Sequence, residues 1–107
     1  MYLRSPVVAG TFYPEDPEEL KNMVQGFLRE AIVGKQKVDV KALIVPHAGY
    51  VYSGPVAGYG FKILEQHSFK TVILLGPSHH FVFTGLAAAV EDYWETPLGR
   101  IKVLSKN

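Results

Sequence analysis

One stretch of the chain decides its fold. Residues 42–79 have the sequence ALIVPHAGYVYSGPVAGYGFKILEQHSFKTVILLGPSH. Two short apolar runs, residues 42–45 and 71–75, flank a segment whose apolar residues recur at helical spacing. Such runs are typical of strands buried on both faces, and two strands joined through a helix form a parallel βαβ unit. The sequence therefore predicts a βαβ unit at residues 42–76, with a helix that opens at Pro55.

A histidine follows each of the two predicted strands. His47 comes just after the first strand, and His79 lies four residues beyond Leu75. Parallel neighbouring strands are ~4.8 Å apart and end at the same edge of the sheet, which is where open α/β sheets bind their ligands. Imidazole is also the commonest metal ligand. We therefore predict that His47 and His79 share one site and bind a metal, while the alternative of two polar loop residues stays open.

The loops around the two histidines supply further candidates. Glycines in both loops allow the backbone to approach a ligand, and a helix start offers free N–H groups to an anion. His80 either supports the site from behind His79 or is neutral, and Tyr50 either lines the pocket or covers the core. The predicted ligand-binding residues are Tyr50, Ser53, Gly54, Ser78 and His80.

Outside this stretch, the clearest element is a helix that begins after Asp16. Asp16 can cap it, Pro17 suits its first position, and apolar residues from Leu20 to Ile32 fall on one face. Further strands are predicted at residues 85–90 and 100–104. The predicted fold class is α/β: a single domain of residues 1–107, with a predominantly parallel or mixed sheet and flanking helices.

The composition excludes several classes of protein. Eleven Lys and Arg stand against ten Asp and Glu, a net charge of +1, so no field attracts nucleic acid or an anionic membrane. The absence of cysteine suits a reducing compartment and leaves His, Asp and Glu as metal ligands. No signal peptide and no run of ~18 apolar residues is present. We expect a cytoplasmic protein without nucleic-acid or membrane partners.

Four motifs in order along the chain resemble the Memo-like family, also called AmmeMemoRadiSam system protein B. They are residues 4–14 (RSPVVAGTFYP), 45–54 (VPHAGYVYSG), 75–80 (LGPSHH) and 94–99 (WETPLG). The resemblance covers the N-terminal part of such a protein and implies a fold similar to class III extradiol dioxygenases, which use non-haem Fe(II). It also implies that His47 and His79 match two ligand-type histidines, and that a third group, a cysteine, lies far downstream.

Three functions remain open at this point. The first is a metal-dependent oxidoreductase in which His47 and His79 hold Fe or Cu and residues outside this chain complete the site. The second is a non-catalytic module that binds a peptide in the same pocket without a cofactor, as the resemblance to signalling adaptors implies. The third is a half-domain that associates with a complementary chain or with a second copy, because an open sheet edge favours association.

Overall fold

The computed structural model describes residues 1–104 and contains two helices and a small sheet. In chain order the elements are β1 (Leu3–Arg4), α1 (Pro17–Glu30), α2 (Tyr50–Leu64), β2 (Tyr93–Thr96) and β3 (Gly99–Lys102). The sheet order is β1-β2-β3, with β1 parallel to β2 and β2 antiparallel to β3. The predicted α/β class with a mixed sheet is therefore confirmed.

The sheet joins the beginning of the chain to its last described residues. Leu3 pairs with Tyr93 and Arg4 with Trp94, and the Arg4 guanidinium lies 5.1 Å from the centre of the Trp94 ring. Arg4 also lies 3.8 Å from the Glu91 carboxylate. The β2–β3 hairpin turns at Gly99, whose φ is +136°. Glycine adopts such a positive φ readily because it has no Cβ. Of the predicted strand at residues 100–104, only residues 100–102 are strand, within β3.

Helix α1 begins where its sequence signals place it. The Asp16 carboxylate accepts a hydrogen bond of 2.9 Å from the Glu19 N–H, and Pro17 occupies the first turn. The helix ends at Glu30, two residues before the predicted end of its apolar stripe at Ile32. Ala31 is buried and its N–H donates to the Phe27 carbonyl. Capping chemistry alone therefore sufficed to locate this helix start.

Helix α2 begins at Tyr50, five residues before the predicted start at Pro55. The extra turn exists because the N-terminal part of the chain supports it: the Tyr50 N–H donates to the Phe12 carbonyl at 2.8 Å. The N–H groups of Tyr52 and Ser53 donate to the Gly49 carbonyl at 2.9 and 3.0 Å. Pro55 consequently lies inside the helix rather than at its first position. The contact with Phe12 therefore decides where α2 begins, and the preference of Pro55 for a first helical position does not.

The two helices pack closely because α2 presents glycines to α1. Gly54 and Gly58 are buried, and both face Phe27 of α1. A Cβ at residue 58 would lie 3.0 Å from the Phe27 carbonyl oxygen, and a Cβ at residue 54 would overlap the Phe27 ring. Gly60 plays the same part toward residues 43 and 45, with a Cβ position 2.8 Å from Val45 Cγ1. These glycines bring three segments into van der Waals contact.

The predicted βαβ unit at residues 42–76 is wrong in its strands. Within residues 1–104, no strand forms at 42–45, 71–75 or 85–90, although the helix between the first two runs is present. Leu43 and Val45 are half-buried against α2, whereas all of residues 71–75 are exposed. A strand persists only when neighbours complete its hydrogen bonds and cover its faces, and two uncovered strands are marginal. The described residues supply no such cover.

Candidate functional site

The structure brings His47 and His79 together. Their ring centres are 5.5 Å apart and their planes are tilted by 31°. Both imidazoles are exposed, so a ligand can reach them from solvent. The juxtaposition arises although neither flanking run forms a strand. The role of these residues as metal ligands stays a prediction.

The loop that carries His47 is held from inside by Ser53. Ser53 is only 6% exposed. Its hydroxyl donates to the Ala48 carbonyl at 2.7 Å and lies 3.2 Å from the Gly49 carbonyl. The predicted role of Ser53 in ligand binding stays a prediction; in the structure its hydroxyl bonds to the backbone of its own loop. Gly49 in turn lies beside Phe12, with its Cβ position 3.6 Å from the Phe12 carbonyl oxygen.

Tyr50 connects this loop to the N-terminal motif. Its ring centre is 5.2 Å from that of Tyr13, with planes tilted by 43°. Burial, and secondarily the neighbouring Tyr13, raises the pKa of the Tyr50 phenol above its ordinary value of 10.0. The phenol therefore remains a neutral hydrogen-bonding group at physiological pH. In the structure Tyr50 makes an aromatic contact that joins two sequence motifs, and its role in lining a ligand pocket stays a prediction.

The second loop is a tight turn that carries His79 and His80. The Ser78 hydroxyl donates to the Phe81 carbonyl at 2.7 Å and accepts from the Phe81 N–H at 3.3 Å. This pair of bonds closes the turn around the two histidines. His80 is exposed like His79, but the contact with His47 is made by the His79 ring. The predicted role of Ser78 in ligand binding stays a prediction; in the structure its hydroxyl closes the turn that carries the two histidines.

A concave feature lies between the helices and was missed by the sequence interpretation. It is an apolar groove of about 520 Å³ whose lining includes Phe27, Leu28, Tyr50, Gly54 and Phe61. Neither His47 nor His79 lines it. Gly54, predicted to bind a ligand at the histidine site, is buried here beneath Phe27. The spacing of Gly54 and Gly58, one helical turn apart, was the signal that marked this close approach.

The two histidines are candidate ligands for a metal ion. A divalent ion lies ~2.0–2.1 Å from each imidazole nitrogen, so rings that share one ion have centres roughly 5–6 Å apart. The observed 5.5 Å fits that spacing. Among residues 1–104, no group of three His, Asp or Glu side chains lies close enough to hold an ion. The described residues therefore offer two candidate metal ligands and no third.

Comparison with known proteins identifies the family. The family model described as Memo-like protein matches residues 4–106. The chain belongs to the Memo-like family. A MEMO1 family protein from Methanopyrus kandleri is 38% identical over 111 residues, and the match covers 96% of this chain but 39% of that relative. MEMO1 family proteins from Nitrosopumilus maritimus and Aquifex aeolicus are 40% and 42% identical, over 97% and 96% of this chain and 39% and 37% of their own lengths.

Two facts about this Memo-like chain bear on its function. It spans about two-fifths of the length of the curated relatives that it matches. In the part of the chain that the structure describes, neither helix has the length and apolar character that a membrane crossing requires. Any activity of the longer relatives is therefore only a proposal for this chain.

Proposed function

We propose that this Memo-like chain contributes the His47–His79 pair to a binding pocket for a divalent metal ion or a small ligand. The observation that supports it is the 5.5 Å separation of two exposed imidazole rings carried by separate glycine-containing loops. Each ring offers a nitrogen donor of the type that Fe, Cu and Zn prefer. The hydrogen bonds of Ser53 and Ser78 hold the loops that carry these donors.

The chemistry of such a pocket follows from how many donors the chain provides. Two imidazoles leave several coordination positions open, so affinity is low until further donors close the site. Open positions are also where a metal in a catalytic site binds substrate and polarises it. We therefore propose a metal-dependent oxidoreductase role, with Fe or Cu as the ion, only for the pocket completed by residues that this chain does not contain.

The test measures Cu²⁺ binding directly. Equilibrium dialysis and electron paramagnetic resonance are applied to the chain and to its His47→Ala, His79→Ala double variant. His67→Ala is the control, because His67 is the remaining histidine outside the predicted site and its ring lies beside Phe69. We expect the chain and the control to bind one equivalent with a nitrogen-coordinated signal, and the double variant to lose at least tenfold in affinity. Equal binding by all three proteins would refute the proposal.

A further inference from the structure

The first turn of α2 has weak local support. Its N-cap residue is Gly49, which has no side chain to accept a hydrogen bond, and the first turn holds no acidic residue. The first N–H groups of a helix lie beyond the reach of its own carbonyls and need acceptors from outside the helix. The local sequence favours a start at Pro55 instead, since proline suits the first helical position. A start at Tyr50 therefore depends on an acceptor from another part of the chain.

That acceptor comes from the N-terminal turn, which we define as residues 8–13. The Phe12 carbonyl accepts a hydrogen bond of 2.8 Å from the Tyr50 N–H. The next residue, Tyr13, places its ring centre 5.2 Å from that of Tyr50. Two consecutive residues of the turn thus hold the first residue of α2, one through its backbone and the other through its side chain.

The N-terminal turn is itself closed by backbone hydrogen bonds. The Gly10 N–H donates to the Tyr13 carbonyl at 2.7 Å, and the Phe12 N–H donates to the Val8 carbonyl at 2.9 Å. Gly10 has a φ of +87°, a conformation that strains residues with a Cβ. The conformation at Gly10 therefore fixes where the carbonyl and the ring that meet α2 lie.

The start of α2 in turn determines how His47 is held. His47 lies three residues before Tyr50 in the chain. The Ser53 hydroxyl, within the first turn of α2, donates to the Ala48 carbonyl at 2.7 Å and so ties the histidine loop to the helix. If α2 began at Pro55, this first turn would join the loop and the tie would be lost. The imidazole would then sample many positions, because a longer loop without hydrogen bonds has low local stability.

We propose that the N-terminal turn positions His47 against His79 by selecting the start of α2, with Gly10 and Tyr13 as the positioning residues. Neither residue is a ligand of the pair; both act through the first turn of the helix. The approach of the two rings is a property of the folded chain, so only the effect on metal affinity rests on the proposed function. The first sequence motif, residues 4–14, thereby acquires a role at a site far away in sequence.

Two disruptive variants remove the two parts of this support. Gly10→Ala strains the turn at its positive φ, and Tyr13→Ala removes the ring that contacts Tyr50. Gly85→Ala is the control for backbone strain, because Gly85 has a similar φ of +91° and open space where a Cβ would lie. Tyr13→Phe is the conservative variant, which keeps the aromatic ring and should restore the behaviour of the parent chain.

The first measurement is nuclear magnetic resonance of the chain in buffer with EDTA. In both disruptive variants, hydrogen exchange of the Ser53 amide should become at least tenfold faster, because its bond to the Gly49 carbonyl belongs to the first turn of α2. The Leu20 amide of α1 should keep its protection, which separates local unwinding from global unfolding. Nuclear Overhauser effects between the two histidine rings should weaken in the same variants. The control and the conservative variant should match the parent chain.

The second measurement is the affinity for Cu²⁺ by equilibrium dialysis, which should fall at least tenfold in the disruptive variants alone. A parent chain that binds no Cu²⁺ would refute the proposed metal pocket, and the measurements in EDTA would then decide the positioning role by themselves. Parent-like exchange at Ser53 and parent-like ring contacts in either disruptive variant would overturn the positioning role. Equal changes in Gly85→Ala, or an equal loss of protection at Leu20, would overturn it as well.

Discussion

The contact between Gly54 and Phe27 makes a quantitative test of how the two helices pack. Replacement of Gly54 by Ala places a Cβ where the Cε2, Cζ and Cδ2 atoms of the Phe27 ring already lie. The ring must leave its position or the helices must separate. Gly26→Ala on α1 is the matched control, because its Cβ position has a single neighbour, the Arg29 guanidinium at 3.9 Å.

The expected magnitude combines two opposing effects. Ala improves helix propensity over Gly by ~1 kcal/mol, and overpacking costs ~1–3 kcal/mol. The overlap involves three ring carbons, so the upper part of that range applies and Gly54→Ala should lower the free energy of unfolding by about 1–2 kcal/mol. At ~4–8 °C per kcal/mol, the Tm should fall by roughly 5–15 °C. Gly26→Ala should instead raise the free energy of unfolding by about 0.5–1 kcal/mol.

Urea and thermal unfolding of the two variants, followed by far-ultraviolet circular dichroism, measure this difference. The prediction concerns the order of the free energies of unfolding as well as the size of their differences. Gly26→Ala should be the most stable protein, the parent chain intermediate, and Gly54→Ala the least stable. If Gly54→Ala proved as stable as Gly26→Ala, helix propensity would dominate at both positions. The close approach of α1 and α2 through Gly54 would then be refuted.

Two further predictions concern the loop of His47. Ser53→Ala removes the hydroxyl that donates to the Ala48 carbonyl, so it should lower the free energy of unfolding by about 1 kcal/mol and weaken Cu²⁺ binding. The control Ser68→Ala, at an exposed serine, should change neither quantity. Urea unfolding and equilibrium dialysis measure the two effects, and equal results for both variants would contradict the prediction. Because the pKa of Tyr50 is raised above 10.0, the unfolded phenol deprotonates first, so stability is kept below pH 10 and falls as pH rises through the folded pKa. Tyr50→Phe should therefore lose less stability than the parent chain as the pH rises from about 9 to about 11 in urea titrations, and an alkaline loss equal to the parent's would contradict the assignment.

The elements that sequence analysis located correctly are those whose signals are local. Asp16 and Pro17 start α1 through a hydrogen bond and a dihedral angle that involve four consecutive residues. The predicted start of α2 at Pro55 was wrong because the true first turn depends on the Phe12 carbonyl, far away in sequence. The predicted strands at 42–45 and 71–75 failed for a related reason, since strand formation depends on partners that the described residues do not contain.

The candidate site divides in the same way. The approach of His47 and His79 was predicted from where each follows its apolar run, and the rings do meet. The hydrogen bonds that Ser53 and Ser78 make inside their own loops were not predicted, because such bonds leave no trace in residue type. A serine beside a histidine looks the same in sequence whether it faces a ligand or its own backbone.

The sequence by itself determined the α/β class, the start of α1, the Memo-like family and the pairing of two histidines, since each rests on short-range chemistry or on motif order. The tertiary structure alone decided where α2 begins, how Gly54 and Gly58 admit Phe27, and which apolar runs remain uncovered. The physical reason is that packing and sheet hydrogen bonds are properties of two segments at once. A run of apolar residues indicates that a neighbouring strand or helix should cover it, and only the folded structure shows whether that neighbour is present.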